Sequence, residues 1–133
     1  MNYILGKSGE GIVENYLTKE RKFQIIKCRY KKSCGEIDII AIEDSSDSSQ
    51  SDISSIGTVI FIEVKSTTKD YVDFENTISK KQWRRIFDTA EQFFLDSDFE
   101  KYHQYNCRFD SIFIKNAKIV NHFENIIIDD FLS

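Results

Sequence analysis

The stretch that decides the fold runs from Gly35 to Lys65. It holds two apolar runs, Gly35-Glu36-Ile37-Asp38-Ile39-Ile40-Ala41-Ile42 and Val59-Ile60-Phe61-Ile62-Glu63-Val64-Lys65. Runs this rich in Ile, Val and Phe form strands that need cover on both faces. Yet Glu36, Asp38, Glu63 and Lys65 sit in them, and burying a charge is costly unless it is paired or ligates a metal. Period two places Glu36 and Asp38 on one face of their strand, and Glu63 and Lys65 on one face of theirs. If the strands pair, one patch of sheet presents Asp38, Glu63 and Lys65 together. That set suits phosphodiester hydrolysis. Two carboxylates hold Mg2+, the substrate phosphate fills an open position, and the lysine stabilises developing charge or orients an attacking water. The residues alone leave a plainer reading equally open, in which these are strand-end charges paired with one another or with solvent.

Composition frames that choice. A chain of 133 residues with 41% hydrophobic and 30% charged side chains and no proline reads as a single globular domain over residues 1–133. No apolar run approaches the ~20 residues of a membrane helix. The stretch Met1-Asn2-Tyr3-Ile4-Leu5-Gly6 lacks the basic region and long apolar segment of a secretory signal. A cytoplasmic protein with no membrane partner is expected. Cys28, Cys34 and Cys107 lack metal-binding spacing, so neither a disulfide framework nor a zinc site is expected. Cys28 and Cys107 read as buried small hydrophobes. The net charge of −4 weakly opposes a nucleic-acid partner, but its distribution matters more. Lys19 to Lys32 holds seven basic residues against the single acid Glu20. Much of the compensating acid, Glu43, Asp44, Asp47 and Asp52, lies in or beside a Ser/Asp-rich segment at 44–57 that reads as a disordered loop.

The remaining elements follow from periodicity. A helix is expected after Gly6-Lys7-Ser8-Gly9, with Ser8 as its N-cap, running to about Glu20 with Ile12, Val13, Tyr16 and Leu17 on its apolar side. Glu10 sits at the edge of that stripe, and from spacing alone it reads first as a first-turn acid favoured by the helix dipole. Phe23 to Tyr30 reads as a basic edge strand, joined to the Glu36–Ile42 strand by a hairpin. After Lys65 an irregular connection, Ser66 to Asn76, is expected to pack its aromatics onto the body. A long helix from Ser79 to Leu95 carries Trp83, Phe87, Ala90 and Phe94 on one side, widened by Ile86 and Phe93, with Lys81, Arg84, Arg85 and Asp88 on the other. Two further strands, Arg108–Ile114 and Ile119–Phe123, flank a turn at Asn116-Ala117-Lys118, and an apolar tail docks as a last strand or turn.

Taken together these motifs resemble the YraN-like uncharacterised family UPF0102, which belongs by fold to the PD-(D/E)xK restriction-endonuclease-like superfamily. The resemblance rests on Gly9-Glu10, Arg29-Tyr30-Lys31, Gly35-Glu36-Ile37-Asp38, Phe61-Ile62-Glu63-Val64-Lys65, Lys81 and Arg108-Phe109-Asp110. It implies an α/β domain with a restriction-endonuclease-like core, a mixed central sheet of about five strands flanked by helices. It further implies that Asp38 and Glu63 ligate Mg2+ (or Mn2+ in its place), helped by the Val64 backbone carbonyl. Lys65 would be the catalytic lysine and Glu10 an additional acid. Glu36, Arg108 and Asp110 would be supporting residues. The chain departs from the family pattern where an arginine becomes Thr67, where Asn-Ala-Phe becomes Asn125-Ile126-Ile127, and where an asparagine becomes Arg29.

The expected function is therefore Mg2+-dependent endonucleolytic hydrolysis of DNA, with branched or structured DNA as the best substrate. Lys27, Arg29, Lys31, Lys32, Lys81, Arg84 and Arg85 would hold the backbone. A homodimer would suit a two-stranded junction. The rivals are a nucleic-acid-binding module of the same fold that does not cleave, and a protein-interaction subunit with an unknown partner.

Overall fold

The Ile- and Val-rich runs pair with one another, and their hairpins lay out the sheet. The computed structural model describes residues 6–44, 56–72 and 78–126, without the side chains of residues 6–10. β1 (Gln24–Lys32), β2 (Gly35–Asp44) and β3 (Gly57–Ser66) form an antiparallel meander. β4 (Asn106–Lys115) runs parallel to β3, and β5 (Lys118–Phe123) closes the sheet antiparallel to β4, in the order β1-β2-β3-β4-β5. A parallel pair requires a long crossover, and α2 (Lys80–Phe93) supplies it. The result is the expected α/β, restriction-endonuclease-like arrangement, a mixed five-stranded sheet flanked by helices.

Each face of the sheet carries its own core. On one, Ile40, Ile42, Val59 and Phe61 pack under Trp83, Ile86, Ala90 and Phe93 of α2. On the other, Ile39, Ala41, Ile60, Ile62 and Val64 meet Val13 and Leu17 from the N-terminal helical segment. Ser79 caps α2 by accepting from the Gln82 N–H at 3.1 Å. The buried side of α2 is Trp83, Ile86, Thr89, Ala90 and Phe93, with Phe87 and Phe94 half-buried at its flanks. This is the expected widened stripe, with Thr89 added to it.

Several expectations are corrected. α1 (Gly6–Asn15) starts before Ser8, so Ser8 lies inside the helix and is not its N-cap. The helix does not continue regularly to Glu20. It widens into a π turn at Tyr16–Glu20, closed by the Arg21 N–H on the Tyr16 carbonyl at 3.0 Å. Asp96 to Asn106, a polar segment whose composition suits turns, is turn-like as it reads, with a 3-10 turn at Ser97–Tyr102. Cys28 and Cys107 are exposed on β1 and β4, not buried, and the Cys28 thiol faces the Glu14 carboxylate of α1 at 3.9 Å. Residues 45–55 of the expected Ser/Asp-rich loop lie outside the described residues, and its ends Asp44 and Gly57 are a paired strand position. In the tail, Ile126 is buried and donates its N–H to the Phe109 carbonyl at 2.7 Å. The rest of that segment, residues 127–133, lies outside the described residues.

Two backbone features shape the β1–β2 hairpin. Ile37 and Ile40 both belong to the α2-side core while Ile39 and Ala41 belong to the opposite one, so strict alternation breaks at Asp38. Across from that break, between the Cys28↔Ile39 and Tyr30↔Ile37 pairs, stands Arg29 with φ of 56°. A left-handed residue inside a strand re-aims its neighbours in the manner of a bulge. At the hairpin turn, Gly35 lies so close to α2 that a Cβ there would sit 2.9 Å from the Thr89 hydroxyl and 3.3 Å from the Arg85 backbone carbonyl.

Substitutions at these positions have opposite expected signs. Gly35→Ala should lower stability by about 1–3 kcal/mol through forced separation of hairpin and helix. Arg29→Val should lower it by about 1–2 kcal/mol, whereas Arg29→Gly, free to adopt a left-handed backbone, should be neutral or stabilising. Urea denaturation midpoints measure all three, and an Arg29→Val protein as stable as wild type would contradict the strained-strand account.

Candidate active site

Asp38 and Glu63 stand where the β2–β3 ladder ends, one residue beyond the last paired positions, Ile39 and Ile62. Continuing that register sets Asp38 opposite Glu63. Here the Asp38 side chain takes over from the backbone, accepting the Val64 N–H at 2.8 Å on Oδ2. In a ladder a residue's N–H and C=O reach the same neighbouring strand, so the Val64 carbonyl lies on the same edge as Asp38.

The two carboxyls are in contact. Burial pushes the Glu63 carboxyl up to about 9, reinforced by its hydrogen bond to Asp38 and by the Asp38 charge. The Lys65 ammonium opposes the shift, and the Glu36 carboxylate adds to it. Asp38, Glu63, Lys65 and Glu36 therefore act on one another at one end of the sheet, with Glu36 exposed at the rim. On β4, Ser111 stands directly beside Glu63 in the parallel register. Its hydroxyl is buried without a hydrogen-bond partner among the described residues, so the acid pair has an unused polar neighbour.

The other expected residues are placed as follows. Glu10 lies on α1, with its side chain outside the described residues. Among the described residues no group of three or more His, Cys, Asp or Glu side chains is set to hold a metal ion. Lys27, Arg29, Lys31 and Lys32 are exposed along β1, and Lys81, Arg84 and Arg85 are exposed on α2. The two basic sets approach each other at the β1–β2 turn, where Arg85 packs on Gly35 and Lys32 pairs with Gly35 in register. Lys32 is also engaged by Asp96, with Nζ 3.3 Å from Oδ2.

Arg108 and Asp110 belong to a different network. Asp110 is fully buried. Its carboxylate accepts from Arg108 at 3.1 and 3.2 Å, from His122 Nε2 at 2.8 Å and from the Asn125 N–H at 3.0 Å. Burial alone would raise this carboxyl, but the His122 and Asn125 hydrogen bonds and the Arg108 charge hold it below the usual carboxylate range. His122 Nδ1 in turn faces the Tyr16 hydroxyl at 2.6 Å, and Arg108 reaches Glu43 at 3.3 Å. This network ties the π turn to β4 and β5. Tyr16 and His122 escaped the sequence reading because no periodicity links residues so far apart in the chain.

Known proteins bear on the chain at this point. The model of the uncharacterised protein family UPF0102 matches residues 9–114. A UPF0102 protein of Treponema denticola is 33% identical over 113 residues, covering 84% of this chain and 81% of its own. One of Alkaliphilus oremlandii is 30% identical over 129 residues, covering 94% and 98%. One of Ehrlichia chaffeensis is 34% identical over 119 residues, covering 90% and 83%. The chain belongs to the UPF0102 family.

The raised Glu63 carboxyl sets the sign of a pH effect. A group protonated more readily in the folded state contributes stability that is fully present below its unfolded value near 4.5 and is lost as pH rises toward about 9. Glu63→Gln keeps a donor for Asp38 and removes the titration. In metal-free buffer the variant should melt several degrees above wild type at pH 8, with the gain vanishing near pH 4.5. Equal melting temperatures at pH 8 would contradict the buried acid pair.

Proposed function

We propose that this UPF0102 protein is a Mg2+-dependent nuclease that hydrolyses phosphodiester bonds in DNA, with branched or otherwise structured DNA as its substrate. The observation that carries the reading is the contact of the Asp38 and Glu63 carboxyls at the end of the β2–β3 ladder, with Lys65 beside them. Two acids forced together in a half-buried place repel when both ionise, and a divalent cation relieves that repulsion. Two carboxylates, a backbone carbonyl at Val64 and a Ser111 hydroxyl that has no partner among the described residues make a hard oxygen donor set that fits Mg2+, with Mn2+ as a substitute. Glu10 is the further acid this reading assigns to α1.

Bound Mg2+ would supply Lewis-acid polarisation of a phosphoryl oxygen. The chain's own residues do the rest. The Val64 N–H fixes one oxygen of Asp38, so the carboxylate is held in place before substrate arrives. The Lys65 ammonium, two residues beyond Glu63 on the same face, offsets charge that develops on the phosphate or holds the attacking water. The exposed cations of β1 and α2 that meet at the hairpin turn hold flanking phosphates. Such contacts position the backbone without reading sequence. A homodimer would bring two sites to two strands of a junction, and a DNA substrate would set this work in the cytoplasm. Among the described residues no helix is long and apolar enough to cross a membrane.

A panel of labelled duplex, nicked, flapped and four-way-junction DNA tests the reading. Cleavage should require Mg2+ or Mn2+, stop with chelator, and fall at least 100-fold in Asp38→Ala and Glu63→Ala, the scale of losing a principal transition-state interaction. Independently of activity, Mg2+ should raise the melting temperature at pH 8 and do so far less near pH 5, where protons compete for the same oxygens. Salt-sensitive DNA binding without cleavage, unchanged in both variants, would favour the non-catalytic binding module instead.

A further inference from the structure

The connection leaving the lysine strand is built to hold one aromatic ring in solvent. Its aromatics were expected to pack down, yet Tyr71 is 74% exposed, while the adjacent Val72 is buried. The exposure is not fraying, because the chain is fixed on both sides of the ring. The Thr67 N–H donates to the Ile114 carbonyl at 2.8 Å, and the Lys69 N–H donates to the Thr67 hydroxyl at 3.1 Å. Asp70 pairs with Lys115. The Val72 N–H donates to the Asn121 side chain at 3.1 Å.

The sheet register locates this anchor relative to the acid pair. Lys65 is paired with Phe113, and Phe113 with Asn121. Directly paired residues share a face, so the Asn121 side chain stands on the face of Lys65. It is two strand spacings away, or about 10 Å. Lys69, exposed beside Tyr71, supplies a cation in the same loop. A solvent-exposed ring one residue before that anchor, with a cation in the same loop, matches the pattern by which proteins bind unpaired nucleotides. Bases stack on an aromatic face while a cation follows the phosphates. In a duplex the bases are already stacked on one another and cannot meet such a ring.

We propose that Tyr71 is a stacking subsite for an unpaired nucleobase next to the scissile phosphate, so that the preferred DNA carries a single-stranded segment. The proposal rests on the nuclease reading and adds the feature of the substrate that is recognised.

The test is binding in chelator, where nothing is cut, measured by fluorescence anisotropy on flapped DNA and on a fully paired duplex of equal length. Wild type, Tyr71→Ala and Tyr71→Trp are compared, with 2-aminopurine in the flap as a direct report of stacking. Tyr71→Ala should bind the flapped DNA about tenfold more weakly and the duplex unchanged. Tyr71→Trp should keep the affinity, and 2-aminopurine fluorescence should be quenched by wild type and not by Tyr71→Ala. Equal binding of the flapped DNA by wild type and Tyr71→Ala, or an equal loss on the duplex, overturns the stacking subsite and leaves the nuclease reading standing. Failure of wild type to bind either DNA sinks both.

Discussion

The architecture depends on a strand pair that separates at one place. Up to Ile39 and Ile62 the β2–β3 ladder is regular and both faces are buried. Beyond that point the backbone partner for Val64 is replaced by a side chain, Asp38, which brings a carboxylate against Glu63 in a half-buried place. Every neighbouring element helps hold that replacement. Arg29 takes a left-handed conformation opposite Asp38, and alternation in β2 changes there. Gly35 lets α2 press onto the hairpin that leads into the acidic strand. The parallel β4 stiffens β3 from the other side and sets Ser111 beside Glu63.

How legible this was depended on the range of the interaction. The β2 and β3 runs, their charged positions and the basic face of α2 are local patterns of period two or 3.6. Asp38, Glu63 and Lys65 do come together, although alternation in β2 breaks at Asp38. Arg29 could be read only as a basic strand residue, since no local pattern announces a left-handed backbone inside a strand. Cys28 and Cys107 were misread because the average burial of cysteine was applied to positions whose cover depends on tertiary packing. The π turn escaped because Tyr16 is aimed at His122, 106 residues away. Tyr71 escaped for a related reason, since Asn121 and Lys115, far along the chain, hold its loop outward.

The charge of the molecule also reads differently in three dimensions. The cations of β1 and α2 are far apart in sequence, yet Lys32 and Arg85 both stand at the hairpin turn, three residues from Asp38. That spacing is about 10 Å along an extended strand, slightly beyond the screening length of about 8 Å in physiological salt, so the two charge sets are partly screened from each other there and couple more strongly at low salt. The overall charge of −4 therefore does not describe the local charge at this end of the sheet.

Asp110 shows what a structural acid looks like in the same protein. It is fully buried, and its two oxygens receive Arg108, His122 and a backbone N–H, which together overcome the penalty of burial and hold its carboxyl low. Glu63 is treated in the opposite way. Burial raises it, the partner given to it is another acid, and Lys65 offsets only part of the effect. A sequence selected for stability alone has an easy remedy, since a neutral residue at either position removes the repulsion. Keeping two acids in contact at the end of a ladder, beside a lysine and a hydroxyl without a partner among the described residues, is a local conflict of the sort that functional sites carry. The contrast between Asp110 and Glu63, made by one fold, is between an acid whose partners lower it and an acid whose partner is a second acid.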